Sequence, residues 1–211
     1  MNYLVNIGLG LILSLILGKI LIPVLKRLHA GQSIREEGPK SHMVKSGTPT
    51  IGGLIFLFSA IITTLLTGNF KVSVFMILFS TLAYGAVGFI DDYIKVVMKR
   101  NLGLRAYQKL FLQILTAVIL IIYQYNSKHM GTDLYIPFLK DYRSIGVFYI
   151  PFIIFVIVGT VNSVNLTDGL DGLSTSVTII CLLFFNVVAV KFQRYEIAAF
   201  SLVLAGALIG F

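Results

Sequence analysis

The sequence predicts an all-α fold, a polytopic bundle of membrane-spanning helices. Three observations carry that expectation. Charged residues fill 12% of the 211 positions against 57% hydrophobic, where a soluble domain carries about 25% charged residues. Mean hydropathy is +0.91. The apolar residues also fall in continuous runs near the ~20 residues a helix needs to cross a bilayer, without the alternation a barrel wall requires. A soluble enzyme, a disordered tail and a coiled coil are excluded.

The runs lie at roughly 3–25, 51–67, 72–90, 110–125, 145–164, 173–190 and 197–211, read as seven spans of one integral-membrane domain covering 1–211. No basic segment precedes the first, which is too long for a signal-peptide core and is followed by Lys26 and Arg27, so it reads as a retained span. The fourth is short and contains Gln113 and Gln124, which leaves its edges ill-defined. The seventh, Ile197 to Phe211, stops without a polar flank. A helix ending in mid-membrane would leave carbonyls unsatisfied in hydrocarbon, so the chain reads as part of a longer protein. Cys181, the single cysteine, lies inside an apolar run, so neither a disulfide framework nor a Cys-rich metal site is expected.

Lys and Arg counts orient the bundle. One set of loops holds Lys26, Arg27, Arg35, Lys40, Lys45, Lys95, Lys99, Arg100, Arg105 and Lys109; the other holds Lys71, Lys128, Lys140, Arg143, Lys191 and Arg194. The richer side is expected in the cytoplasm, with the N-terminus outside. The net charge of +8 is then a topology signal, and no nucleic-acid partner is expected.

Acidic residues are few, so their positions matter. Asp91 and Asp92 follow directly on the third apolar run. Adjacent carboxylates repel and need a cation or shifted pKa values to coexist beside a membrane. A divalent ion would satisfy them, as would Lys95, one helical turn beyond Asp91. The bland alternative, interfacial charges ending a helix, is weakened because negative charge at a helix C-terminus opposes the macrodipole. The 162–174 segment gathers Asn162, Asn165, Thr167, Asp168 and Asp171 with glycines at 169 and 172, and no Lys or Arg. Two carboxylates three residues apart suit a Mg²⁺ site or a polar ligand. Helix capping by Asp168 or Asp171 is the competing account; one cap explains one aspartate, not the group.

The loop from His29 to Gly53 combines Arg35, Lys40 and Lys45 with Ser41, Ser46, Thr48 and Thr50 and glycines at 47, 52 and 53. Ammonium, hydroxyl and backbone N–H donors together suit phosphate oxygens, although a solvated topogenic loop has the same composition, and the order of a P-loop is missing. His29, His42 and His129 lack metal-ligand spacing. Carboxylates, cations and amides thus gather on one membrane face, which points to chemistry between a soluble phosphorylated molecule and a lipid. A transporter or channel subunit, the alternative of a different class, would carry its polar groups near mid-bilayer.

Three motifs carry a resemblance: Ile34-Arg-Glu-Glu-Gly-Pro-x-Ser-His42 with Lys45-x-Gly-Thr-Pro-Thr-x-Gly-Gly53, Gly88-Phe-x-Asp-Asp-Tyr-x-Lys95, and Asn162-x-x-Asn-Leu-Thr-Asp-Gly-Leu-Asp-Gly-Leu173. Along its whole length the chain resembles the polyprenyl-phosphate N-acetylhexosamine-1-phosphate transferases of glycosyltransferase family 4, and the first motif is similar to their muramoyl branch. The resemblance implies a Mg²⁺-dependent enzyme of the bacterial cell membrane, acting in peptidoglycan synthesis. It would pass phospho-N-acetylmuramoyl-pentapeptide from UDP-N-acetylmuramoyl-pentapeptide to undecaprenyl phosphate, releasing UMP. By motif match, Asp91, Asp92 and Asp168 would be catalytic, with Asp91 deprotonating or positioning the lipid phosphate. Lys45, Thr50, Lys95, Lys109, Asn162, Asn165, Gly169, Leu170 and Asp171 would bind substrate. The resemblance further implies ten spans in all, a homodimer, and a Gly-Asp motif beyond Phe211 that supplies the Mg²⁺ ligand, followed by a histidine-rich loop; the chain by itself is then expected to be inactive. The runner-up is a related transferase using UDP-N-acetylglucosamine, against which the 34–42 segment argues.

Overall fold

The computed structural model describes residues 3–27, 51–67, 71–98, 103–126 and 132–211. Among them the chain forms seven α-helices: α1 (Tyr3–Arg27), α2 (Leu54–Thr67), α3 (Val72–Val97), α4 (Ala106–Asn126), α5 (Tyr149–Thr167), α6 (Leu173–Lys191) and α7 (Tyr195–Gly210). Each falls on one of the expected apolar runs. Five of them, α1, α3, α4, α5 and α6, are long and apolar enough to cross a membrane. The other two are shorter: α2 has 14 residues and α7 has 16, about 21 and 24 Å at 1.5 Å per residue, below the ~30 Å of a hydrocarbon core. In α2 the first residues of its run, 51–53, form a turn instead.

The helices that end in polar sequence run further than hydropathy alone indicates. The third apolar run ends at residue 90, but α3 continues to Val97, so Asp91 and Asp92 lie within it and only Lys95 occupies its last turn. α5 continues to Thr167, which makes Asn162 and Asn165 helical rather than part of a loop. α4 begins at Ala106, placing Lys109 in its first turn. The backbone hydrogen-bond ladder does not require apolar side chains, so a helix carries on past the membrane edge until a breaker stops it.

The chain divides into two compact units. The first contains residues 1–105 and 167–211, hence α1, α2, α3, α6 and α7. α7 packs against α1, α6 and α2, and α1 against α2. Small residues make this possible, as is usual where lipid removes the hydrophobic drive between helices and close backbone approach supplies the attraction. The buried set includes Gly10, Ser14 and Gly18 of α1, Ser59, Ala60 and Thr63 of α2, and Ala198, Ser201, Ala205, Gly206 and Ala207 of α7. Polar side chains tie the helices together: the Ser59 hydroxyl donates to the Gly10 carbonyl at 2.7 Å, and the Asn186 amide to the Ala198 carbonyl at 2.8 Å.

The second unit contains residues 106–166. Its helices α4 and α5 are joined through an antiparallel hairpin, β1 (Asp133–Ile136) and β2 (Asp141–Ser144), registered Asp133 opposite Ser144 and Ile136 opposite Asp141. Tyr135 and Tyr142 face each other across it with ring centroids 5.3 Å apart, a pairing that stabilises a short ladder. The apolar pattern gives no sign of these strands. α5 buries none of its residues, and Phe155 and Leu166 are 74% and 81% exposed. Exposed apolar surface on that scale marks a face that lipid or further protein would cover.

Candidate active site

In the first unit the site is organised around a carboxylate pair on α3. Asp91 is buried at 7% exposure, yet each of its oxygens has a donor. Lys95 Nζ donates to Oδ2 at 2.6 Å, and the Leu104 backbone N–H donates to Oδ1 at 2.9 Å. Lys95 also reaches Asp92 Oδ1 at 3.2 Å. The spacing dictates this arrangement: residues three and four apart share one helix face, and an acid placed N-terminal to a lysine is the favourable order. One ammonium therefore bridges both carboxylates, relieving the repulsion between adjacent anions. Asp92 is the more accessible partner, with a side chain 34% exposed against 10% for Asp91.

The same unit carries Asp168, Gly169, Leu170 and Asp171 in the turn leading into α6. Asp168, Leu170 and Asp171 are all exposed there, as the chain passes from the end of α5 into the turn. The cap position of α6 belongs to Gly172, with φ +78°, and to neither aspartate. Glycine suits this cap because its backbone is left-handed.

In the second unit, α4 and α5 present two polar contacts along one seam. Lys109 Nζ donates to Asn165 Oδ1 at 3.1 Å. One turn further into α4, Asn162 Nδ2 donates to Gln113 Oε1 at 2.8 Å, and the same amide donates to the Val158 carbonyl at 2.8 Å. Gln113 is fully buried. In the sequence it stands out only as an interruption of the fourth apolar run. Its position four residues after Lys109 is the signal that both lie on one helix face.

The remaining expected residues, Lys45 and Thr50, lie outside the described residues, as do Lys99, Arg100 and the three histidines. A cavity of about 660 Å³ lies at the opposite end of α3, where Asn6, Thr64, Lys71 and Glu196 contribute to its lining. None of the expected site residues among the described ones lines it.

Among the described residues no three His, Cys, Asp or Glu side chains form a metal-holding group. Asp92 still fits magnesium by the chemistry of its donor oxygens. Mg²⁺ is ordinarily held by one or two carboxylates, with water and substrate phosphates completing its shell; with both Asp91 oxygens taken by Lys95 and Leu104, the more accessible Asp92 is the hard oxygen ligand the cluster offers.

Comparison with known proteins agrees with these motifs. The chain is 52% identical over 217 residues to a phospho-N-acetylmuramoyl-pentapeptide-transferase of Alkaliphilus metalliredigens, covering 98% of this chain and 66% of that protein. It is 50% identical to the protein of the same name from Clostridium beijerinckii, covering 96% and 63%, and 48% identical to that of Clostridium botulinum, covering 96% and 62%. The chain thus spans a little under two thirds of the length of these curated relatives. Residues 74–211, which run from the start of α3 through both aspartate-bearing motifs, match glycosyl transferase family 4, and the chain belongs to that family.

Proposed function

We propose that the protein transfers phospho-N-acetylmuramoyl-pentapeptide from its UDP-linked donor to undecaprenyl phosphate in the bacterial cell membrane, with its N-terminus outside and its motif-bearing ends in the cytoplasm. The observation that carries the reading is the Asp91–Lys95–Asp92 cluster. Two carboxylates and an ammonium interlocked at the polar end of an otherwise apolar helix are costly to keep beside lipid without a function. The cluster lies in a chain that is about half identical to the transferases named above.

In the net reaction an oxygen of the lipid phosphate bonds to the sugar-proximal phosphorus of the donor. The bond from that phosphorus to the UMP oxygen breaks, and UMP leaves with the electron pair. Such transfers depend mostly on positioning and on neutralising developing charge. Lys95, oriented by Asp91 and Asp92, supplies a fixed positive charge for phosphate oxygens. Asp91 is the base or anchor for the lipid phosphate. Lys109, held against Asn165, offers a second cation. Asn162, Asn165, Gly169, Leu170 and Asp171, with Lys45 and Thr50, recognise the donor, and Asp168 is the third catalytic carboxylate. Asp92 would contribute to holding the magnesium ion, which when bound would supply Lewis-acid stabilisation of the diphosphate.

The test is UMP release in membranes bearing the full gene product, supplied with UDP-N-acetylmuramoyl-pentapeptide and undecaprenyl phosphate. Release should require both substrates and Mg²⁺, stop with EDTA, and fall by about 10²-fold or more in Asp91→Asn and Asp168→Asn. Preferential use of UDP-N-acetylglucosamine would overturn the donor assignment. Undiminished release in both variants would overturn the transferase site.

A further inference from the structure

We infer that Gly103 and the Leu104 amide form a main-chain clamp that positions the Asp91 carboxylate; its catalytic meaning rests on the transfer reaction proposed above, while its geometry does not. At Gly103, just ahead of Leu104, the backbone adopts φ +55°, a left-handed conformation that glycine takes without strain. There the Leu104 N–H meets Asp91 Oδ1 at 2.9 Å, a charge-assisted contact to a buried anion. The approach leaves no room for a side chain. A Cβ on residue 103 would stand 2.5 Å from Asp91 Oδ1, 2.8 Å from Lys95 Cε and 2.9 Å from the Asp91 carbonyl oxygen.

Glycine is therefore demanded twice, and the two demands can be separated. Asparagine tolerates a left-handed backbone better than other residues with a Cβ but would still thrust that Cβ into the carboxylate. Were the glycine needed only to make a turn, Asn would restore most of its function. For a clamp, Asn fails as Ala does. The consequence for the site is directional. With Oδ1 held by the main chain, Oδ2 is aimed at Lys95, and the ammonium is set between the two carboxylates. Gly103 and Leu104 are positioning residues that act through Asp91 and Lys95.

The experiment has two arms, both on the full gene product. In the kinetic arm, Gly103→Ala and Gly103→Asn should each lower kcat about tenfold or more with the donor KM changed less than about threefold, as expected when a reacting group is displaced by a fraction of an ångström. Gly146→Asn is the control for backbone strain alone: that residue also has a positive φ, +52°, and a Cβ there would meet nothing within 4 Å, so the variant should turn over like the parent. In the exchange arm, the Leu104 amide should exchange about tenfold faster or more in Asp91→Ala, because a hydrogen bond to a charged acceptor is lost. Parental kcat in Gly103→Asn, or unchanged Leu104 exchange in Asp91→Ala, overturns the clamp. If the unaltered protein turns over no sugar donor, the proposed function fails, and the exchange arm still decides the clamp without it.

Discussion

Gly206 of α7 lies so close to Ile7 of α1 that a Cβ on residue 206 would overlap the Ile7 carbonyl oxygen. The contact is repeated along the pair, since a Cβ at Gly10 would stand 2.5 Å from the Val203 carbonyl oxygen and one at Gly210 2.5 Å from that of Leu11. The two helices touch backbone to backbone, which lets dispersion and dipole contacts act at short range where no hydrophobic drive exists.

Gly206→Ala should therefore destabilise the protein, by about 1–3 kcal/mol as for other overpacked interiors, despite the better helix propensity of alanine. Gly8, in the α1 helix but with nothing within 4 Å of its would-be Cβ, is the matched control. Gly8→Ala should be neutral or stabilising, by up to about 1 kcal/mol. Thermal unfolding in detergent, followed by tyrosine fluorescence, separates the two outcomes.

Lys95→Met should cost both stability and turnover. It removes the ammonium that bridges Asp91 and Asp92 and leaves a buried carboxylate uncompensated. Breaking a fully buried pair costs about 3–5 kcal/mol; the Lys95 side chain is 31% exposed, so on the order of 2 kcal/mol is expected after solvent screening. Lys95→Arg keeps the charge and should recover most of the stability but little of the turnover, because the planar guanidinium cannot take the place of a point charge between two carboxylates. Unfolding midpoints and UMP release, measured on the same preparations, check both halves.

The Gln113–Asn162 contact should appear as a coupling energy. In a double-mutant cycle with Gln113→Ala and Asn162→Ala, interhelical polar pairs inside membrane proteins average about 0.6 kcal/mol with a ceiling near ~1.7. Because Gln113 is fully buried, a value in the upper half of that range is expected. Additive single effects would show that the pair contributes nothing beyond its separate parts.

Glu196 gives a pH dependence of known sign. It precedes the apolar stretch of α7, and its hydrogen bond with Lys71 holds its carboxyl below the usual carboxylate range, aided by its own backbone N–H and against a small opposing effect of burial. A carboxylate whose pKa is depressed on folding stabilises the fold above its unfolded pKa, and that contribution disappears as pH falls through the folded value. The unfolding midpoint should therefore decline on acidification below the ordinary carboxylate range. Glu196→Gln should remove that part of the decline, which amounts to roughly 1 kcal/mol at most for so accessible a pair. Midpoints recorded across the acid range in both proteins test it.

The helical class and the location of every described helix were legible in the sequence, because continuous apolar runs of span length admit few other readings. The ends were not. Hydropathy reports where lipid stops, whereas a helix stops where its hydrogen bonds or its backbone must change. Between Phe89 and Met98 there is neither glycine nor proline, and that silence was the signal that α3 would carry Asp91 and Asp92 onward. The 133–144 hairpin escaped because its strands are four residues each, too short for alternation to stand out. At the site, the Asp91–Lys95 pair followed from spacing alone. The Leu104 amide could not have been found that way, since a main-chain donor thirteen residues downstream has no side-chain signature.

The bareness of α5 bears on how the protein is made. A helix that buries none of its residues can be stable in hydrocarbon with little help from its neighbours. It can leave the translocon sideways as soon as its own residues have emerged, at a moment set by hydropathy and not by assembly. α7 is the opposite case. Half of its 16 residues are buried against neighbouring helices, so it depends on finding α1, made far earlier in synthesis. A cell that degrades misassembled copies should accordingly meet them with α7 adrift and α5 already in place.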